Sequence, residues 1–440
     1  MPRFDRTLSA IATLLIAVTS LHAATKKVIV ISIDGLRGIT LASLSTRGLH
    51  TPNLNEFAQG GALSDGLVGV FPTVTYPSHT TLVTGVSPNI HGILGNGMFD
   101  PEHQLDGAWY WYAQQIKRPT LYTIAKQKGL TTGAVSWPVT IDANIDYKFP
   151  EYREPETEEG LLLYGGLCTQ GLLAAYEKAN APLQLDHIDD EVRASMARYL
   201  ISTYKPDLLF VHLIDMDHQQ HVHGPDSPEA FKTLENIDRL IGTIREAVKA
   251  SEPNDLVDFI VVSDHGFQPV EKQFNPNAVL TSLGLEGTKD NPEKWRVSAF
   301  DNGASFGLVA HDPNDAEAIK TATETFKQLA SEGTFGIDKF YDTTETRALE
   351  GYSNSFASIS MRPGFLVGGT TSGPWLIDTK TRGMHGYAPG PKELDASFLA
   401  FGPGIPNRHL PRAKLVDVAP TIAHILNLPM PGVEGHDLLN

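Results

Sequence analysis

The 440-residue sequence holds a single cysteine, Cys168. No disulfide can form within the chain, and a zinc site built on thiolates is excluded. Basic residues are scarce as well: 35 Lys and Arg stand against 51 Asp and Glu, a formal net charge of −16. Such a surface repels a polyanionic backbone, which excludes general nucleic-acid binding through a basic face. Metal ions can nevertheless reverse the sign locally and let an acidic protein act on phosphate esters. Beyond the first two dozen residues no apolar run approaches the roughly eighteen residues of a membrane-spanning helix. Asp34-Gly35-Leu36-Arg37-Gly38 is not the Gly-x-Gly-x-x-Gly that a dinucleotide-binding turn needs.

What is present is a globular composition, 41% apolar and 20% charged, long enough for one large domain with a proper core. Residues 1–24 carry Arg3 and Arg6 ahead of an apolar run from Leu8 to Val18, then Ser20, His22, Ala23 and Ala24 in the style of a cleavage region. This reads as a secretory signal, leaving residues 25–440 as an exported catalytic domain without a transmembrane anchor. Export without disulfides favours a bacterial periplasm. Nothing in the sequence fixes an oligomeric state.

Continuous apolar runs recur: Lys27–Ile33, Thr132–Ser136, Leu208–Ile214, Phe259–Ser263 and Ala396–Phe401. Such runs fit strands covered on both faces. Helical patterns lie between them at Asp189–Tyr204, Ser227–Lys249 and Val416–Leu426. The alternation predicts an α/β fold with a mostly parallel central sheet flanked by helices. Segments 145–185 and 270–380 are irregular and are expected to be insertions, the second forming a smaller cap lobe.

In an open α/β sheet, ligands collect beyond the carboxyl ends of the strands. Three runs place acids there: Asp34, the pair Asp215 and Asp217, and Asp264 followed by His265. Converging carboxylates repel one another unless cations lie between them. Asp217 and His221 are four apart, so one helical turn presents both to one ion. His385 sits in the glycine-rich Gly383-Met384-His385-Gly386. His212, His218 and His223 read as solvated or supporting. Oxygen and imidazole donors without thiolate suit zinc, with manganese or iron compatible. Three aspartates against two divalent ions leave a slightly positive receptacle, suited to a phosphate diester.

Phe71–Gly85 reads as a proline-rich approach to a helix, placing a hydroxyl residue at a helix N-terminus, where an anionic oxygen is favoured. Thr75 is the candidate nucleophile; from spacing alone, Thr75 or Ser78 serves equally as a helix cap. No arginine stands beside Thr75 to clamp a dianion, which favours a diester over a monoester.

Six motifs in order, Asp34-Gly-Leu-Arg37, Phe71-Pro-Thr-Val-Thr75-Tyr-Pro-Ser-His79, Gly92-Ile-Leu-Gly-Asn96, Asp217-x-x-x-His221-x-x-Gly-Pro225, Ser263-Asp264-His265-Gly266 and Gly383-x-His385-Gly386, resemble the nucleotide pyrophosphatase/phosphodiesterase family of the alkaline phosphatase superfamily. The resemblance implies an alkaline phosphatase-like fold and two zinc ions, one held by Asp34, Thr75, Asp264 and His265, the other by Asp217, His221 and His385. It further implies that Thr75 forms a covalent phosphothreonine, that Asn96 donates to a phosphate oxygen, and that Tyr76 and Tyr152 sandwich a nucleobase. The implied substrate is a small nucleotide or phosphodiester. The same machinery also serves choline-phosphate diesters or phosphonoacetate; a non-catalytic protein that scavenges metal or phosphate is a remote alternative. Two positions depart from the family pattern, Ser78 for Asn and Gln220 for Gly.

Overall fold

The computed structural model describes residues 26–102, 104–105, 109–153, 155–184, 188–252 and 257–440. The export reading of residues 1–24 lies outside them. Eight strands form the central sheet: β1 (Lys27–Ile33), β2 (Ala62–Ser64), β3 (Thr132–Val135), β4 (Tyr147–Phe149), β5 (Leu208–Leu213), β6 (Val257–Val262), β7 (Phe398–Phe401) and β8 (Arg408–Leu410). Their order is β8-β2-β7-β6-β1-β5-β3-β4. From β6 to β4 all neighbours are parallel. The run at Ala396–Phe401 does become a strand, but β7 runs antiparallel to β6.

The β-branched run of β1 is explained by what covers it. Ile29, Ile31 and Ile33 point into one apolar layer, and Val28 and Val30 into the other. In register beside it, Ile31 pairs with Val211 on one side and Val261 on the other. Each such fully buried side chain contributes about 1.5–3 kcal/mol. On the first face lie helices α2 (Asp190–Thr203) and α4 (Pro228–Ser251), which bury Met196, Leu200, Ile237 and Ile241. Asp189 and Ser227 cap their N-termini through their side chains. The second face is covered by α1 (Thr75–Thr84) and α5 (Val418–Ile425).

Segment 145–185 is not an appendage. It supplies edge strand β4, and Phe149, Tyr164, Leu172 and Tyr176 pack into the main core. By contrast, most of 270–380 gathers around its own core, which holds Phe274, Phe306 and Phe326. There a four-stranded antiparallel sheet of Val297–Asn302, Ser305–Ala310, Ala357–Met361 and Ile337–Tyr341 packs on the helix Ala316–Glu332. Among the described residues no helix is long and apolar enough to cross a membrane.

Candidate active site

Because β6, β1 and β5 run parallel, their carboxyl ends share one edge of the sheet, and the chain places an acid just past each. Asp34 follows β1 directly, Asp264 follows β6 after Ser263, and Asp217 stands in the first turn of α3 (Asp215–His223) after β5. The Asp217 and His221 side chains meet across one turn of α3, Oδ2 to Nε2 at 3.3 Å.

Three imidazoles face this edge with the same orientation. His221 Nδ1 lies 2.9 Å from the Gly383 carbonyl, His385 Nδ1 3.0 Å from the Thr73 carbonyl, and His265 Nδ1 3.2 Å from the Gly266 carbonyl. With Nδ1 engaged by backbone, each ring turns its Nε2 inward. The loop carrying His385 comes this close because Gly386 has no Cβ; one added there would stand 2.2 Å from the Asn302 carbonyl oxygen.

Donor atoms gather into two groups able to hold a metal ion, Asp34 with Asp264 and His265, and Asp217 with His265 and His385. His265 belongs to both: its Nε2 lies 3.4 Å from Asp34 and 3.1 Å from Asp264, and its ring stacks on His385 at 3.6 Å. The donors also fit divalent ions electrostatically. Asp34 Oδ1, Asp217 Oδ1 and Asp264 Oδ2 are buried with no hydrogen-bond partner in the protein, a costly arrangement unless a cation completes it. Burial, and then the neighbouring carboxylates, push Asp34 well above the usual carboxylate range. Burial likewise raises Asp264, whereas the partly buried Asp217 is held low by His221, His385 and His265. Burial lowers His265 to about 4 and pushes His385 down too, leaving both imidazoles neutral as ligands require.

Thr75 opens α1 and turns its Oγ1 to 3.5 Å from His265 Nε2. Ser78 is buried with its hydroxyl unpartnered, so it does not cap this helix. The Asn96 side-chain oxygen accepts from the Tyr76 backbone N–H at 2.9 Å. Gln220 fills its family-atypical position by donating to the Gly35 carbonyl at 3.0 Å.

The two tyrosines that the motifs single out lie in different surroundings. Tyr76 is fully buried, its hydroxyl donating to Glu151 at 2.9 Å and its ring edge-on to Trp109 and Trp111. Trp109 is the exposed ring there, at 38%, stacked on Trp111 at 5.6 Å. Tyr152 is half-buried against Trp111.

Of the three histidines read as solvated or supporting, His212 is the supporting one. His212, buried on β5, bridges Asp34 and Glu151 at 3.0 Å each. Despite burial, these two carboxylates raise it to about 10. His79, one turn after Thr75, reaches the Thr75 carbonyl and Ser32. Its i+4 spacing from Thr75 was the available signal. His218 and His223 are exposed.

A helix-borne threonine hydroxyl beside His265, at a cluster of carboxylates and imidazoles beyond the carboxyl edge of a parallel sheet, fits a phosphoester hydrolase of the α/β class. The chain belongs to the type I phosphodiesterase/nucleotide pyrophosphatase family, whose family model matches residues 28–387. It is 26% identical over 431 residues to an uncharacterised pyrophosphatase/phosphodiesterase of Schizosaccharomyces pombe, covering 91% of this chain and 77% of that protein. Human ectonucleotide pyrophosphatase/phosphodiesterase family member 5 is 25% identical over 416 residues, covering 93% and 76%. The murine form of that protein, solved as an inactive variant with AMP, shares the fold at a TM-score of 0.68 and 22% identity, over 94% of this chain and all of the other. The chain is therefore a hydrolase acting on phosphodiester or pyrophosphate bonds.

Proposed function

We propose that the chain is a two-zinc nucleotide pyrophosphatase/phosphodiesterase working through a covalent threonine intermediate. The observation that carries this reading is the set of three unpartnered carboxylate oxygens, on Asp34, Asp217 and Asp264, converging on His265 beside the Thr75 hydroxyl. Asp34, Thr75, Asp264 and His265 would hold one ion, and Asp217, His221 and His385 the other, with His265 close enough to both to keep the pair together. Bound ions of this kind make a hydroxyl a stronger nucleophile and neutralise a departing oxygen.

Thr75 Oγ1 attacks phosphorus in line with the departing alcohol or phosphate; its proton passes through solvent to the departing oxygen as the new O–P bond forms and the bond to the leaving group breaks. Water then attacks the threonine ester, the Thr75 O–P bond breaks, and the proton given up by that water returns to Oγ1. Asn96 supports both steps: with its oxygen engaged by Tyr76, its Nδ2 is the donor left for a non-bridging phosphate oxygen. The exposed face of Trp109, with Tyr152 behind Trp111, supplies the aromatic wall for a nucleobase, and Tyr76 shapes that wall from within. We further propose that residues 1–24 direct export.

The test is hydrolysis of the 4-nitrophenyl ester of thymidine 5′-phosphate. Wild type turns it over and Thr75→Ala does not, while the variant still binds zinc. Undiminished turnover by Thr75→Ala eliminates the covalent reading, and faster hydrolysis of 4-nitrophenyl phosphate than of the diester eliminates the diester preference.

A further inference from the structure

Gln220 is fully buried in α3, three residues after Asp217 and one before His221. Its Nε2 donates to the Gly35 carbonyl at 3.0 Å, while the Gly35 N–H donates to Asp264 Oδ1 at 3.1 Å. Gly35, the residue after Asp34, thus joins an acid of the first donor group to the helix that carries Asp217 and His221. The contact is close: a Cβ on Gly35 would stand 2.7 Å from Gln220 Nε2 and 2.7 Å from the Phe267 ring. Phe267 is buried too and packs on all three imidazoles, its ring centroid 5.0 Å from His221, 5.7 Å from His265 and 5.3 Å from His385. Behind the helix, a Cβ on Gly383 would come within 2.4 Å of the Gln220 carbonyl oxygen. Gln220 is therefore wedged between the Asp34 turn and the loop that carries His385.

The two donor groups are held differently. Asp34, Asp264 and His265 follow β1 and β6, which pair in parallel as far as Ser32 and Val262, so the sheet itself fixes that set. Asp217 and His221 ride on a helix outside the sheet. Gln220 ties this helix to the Asp34 turn, whereas Arg37 reaches the chain beyond the helix, at the Pro225 carbonyl and Asp226. The glutamine amide is engaged at one end, since Gln220 Oε1 has no hydrogen-bond partner in the protein. An apolar side chain of similar length would fill the space without burying an unpaired acceptor. A glycine, as in the family pattern, would offer Gly35 no side-chain donor. The Nε2 bond is what sets glutamine apart from both.

We propose that Gln220 is a positioning residue for the second metal ion. By pinning α3 to the Asp34 turn it holds Asp217 and His221 in place relative to His265, and so tightens the ion held by Asp217, His221 and His385 without affecting the other. The inference rests on the two-metal reading and adds to it a residue outside the ligand set. A partner of this kind acts by fixing its ligands before the ion arrives, so less ordering is left to occur on binding.

Zinc titration of the metal-free full chain against a chromophoric chelator tests this, with wild type, Gln220→Met and Gln220→Gly. Methionine keeps the length of the side chain but has no donor for Gly35. Wild type should take up two ions, and in each variant one dissociation constant should rise about tenfold while the other stays. In an Asp217→Asn background, which cripples the second site, Gln220→Met should leave the remaining ion's affinity unchanged. A second readout separates positioning from packing. The rise in Tm on zinc loading should be smaller in Gln220→Met than in wild type, whereas a packing role shifts the metal-free and zinc-loaded Tm together. Wild-type zinc constants in the variants, equal weakening of both ions, or variants that unfold without metal where wild type does not, each overturn the inference and leave the two-metal reading intact. Wild type that takes up fewer than two zinc ions overturns both.

Discussion

The side-chain oxygen of Asn96 accepts a 2.9 Å hydrogen bond from the backbone N–H of Tyr76, the residue after the candidate nucleophile. A helix N-terminus normally leaves such an N–H open to an anion; here the asparagine takes it. The bond orients the amide, so its NH2 group is the part free to face a phosphate. Asn96→Ala should lower kcat about 100-fold, the usual cost of one preorganised donor to a developing charge. Asn96→Asp should do worse, because a carboxylate repels the same oxygen. Wild-type kcat on the 4-nitrophenyl diester in either variant would show that Asn96 is not the donor.

Metal removal should act on stability as well as on turnover. Without a cation, three unpartnered carboxylate oxygens share a buried space, and binding to the folded state alone stabilises it by mass action. Dialysis against a chelator should abolish diester hydrolysis and lower Tm, and added zinc should restore both. An unchanged Tm with full activity in chelator would exclude the metal reading.

His212 should set metal affinity without touching the substrate. Its ring bridges Asp34 and Glu151, and Glu151 in turn receives the Tyr76 hydroxyl. One charged imidazole thus ties a candidate ligand carboxylate, Asp34, to the carboxylate that holds Tyr76. Partners of this kind are worth about 10–100-fold in metal affinity. His212→Ala should therefore weaken zinc binding by that factor in a competition titration, with His212→Gln intermediate because it keeps one donor. Identical zinc affinity in both variants would assign His212 to packing alone.

The carboxyl-edge acids were legible because each rule involved is local. A both-faces-buried strand reads as an unbroken apolar run, and the residue after it falls at the ligand edge; Asp34 and Asp264 follow from that. The Asp217–His221 pair follows from helical spacing. What was not legible depends on distant chain segments meeting. His265 sits between both donor groups because β6 lies beside β1 and the His385 loop folds over it, which no local pattern encodes. The direction of β7 was hidden for a similar reason, since an apolar run has no polarity. Tyr76 occupies the motif position but is buried by Trp109 and Trp111, more than thirty residues further on.

Acid should destabilise the protein partly through His91, which is not among the candidate ligands. Its ring is fully buried at the end of the short helix Pro88–His91, accepting from the Ile93 N–H at Nδ1 and facing the Thr81 hydroxyl with Nε2. Burial lowers it from the ordinary 6.5 to about 3. Between those values the unfolded chain binds a proton that the folded chain refuses, so stability is full above about pH 7 and falls as pH drops toward 3. By pH 4 the loss from this one group is on the order of 3 kcal/mol. His91→Gln keeps an acceptor for Ile93 and a donor for Thr81 but does not titrate. Its urea unfolding free energy should therefore fall less steeply than that of wild type between pH 7 and 4, by up to one proton. Parallel curves over that range would mean that His91 is protonated equally in both states.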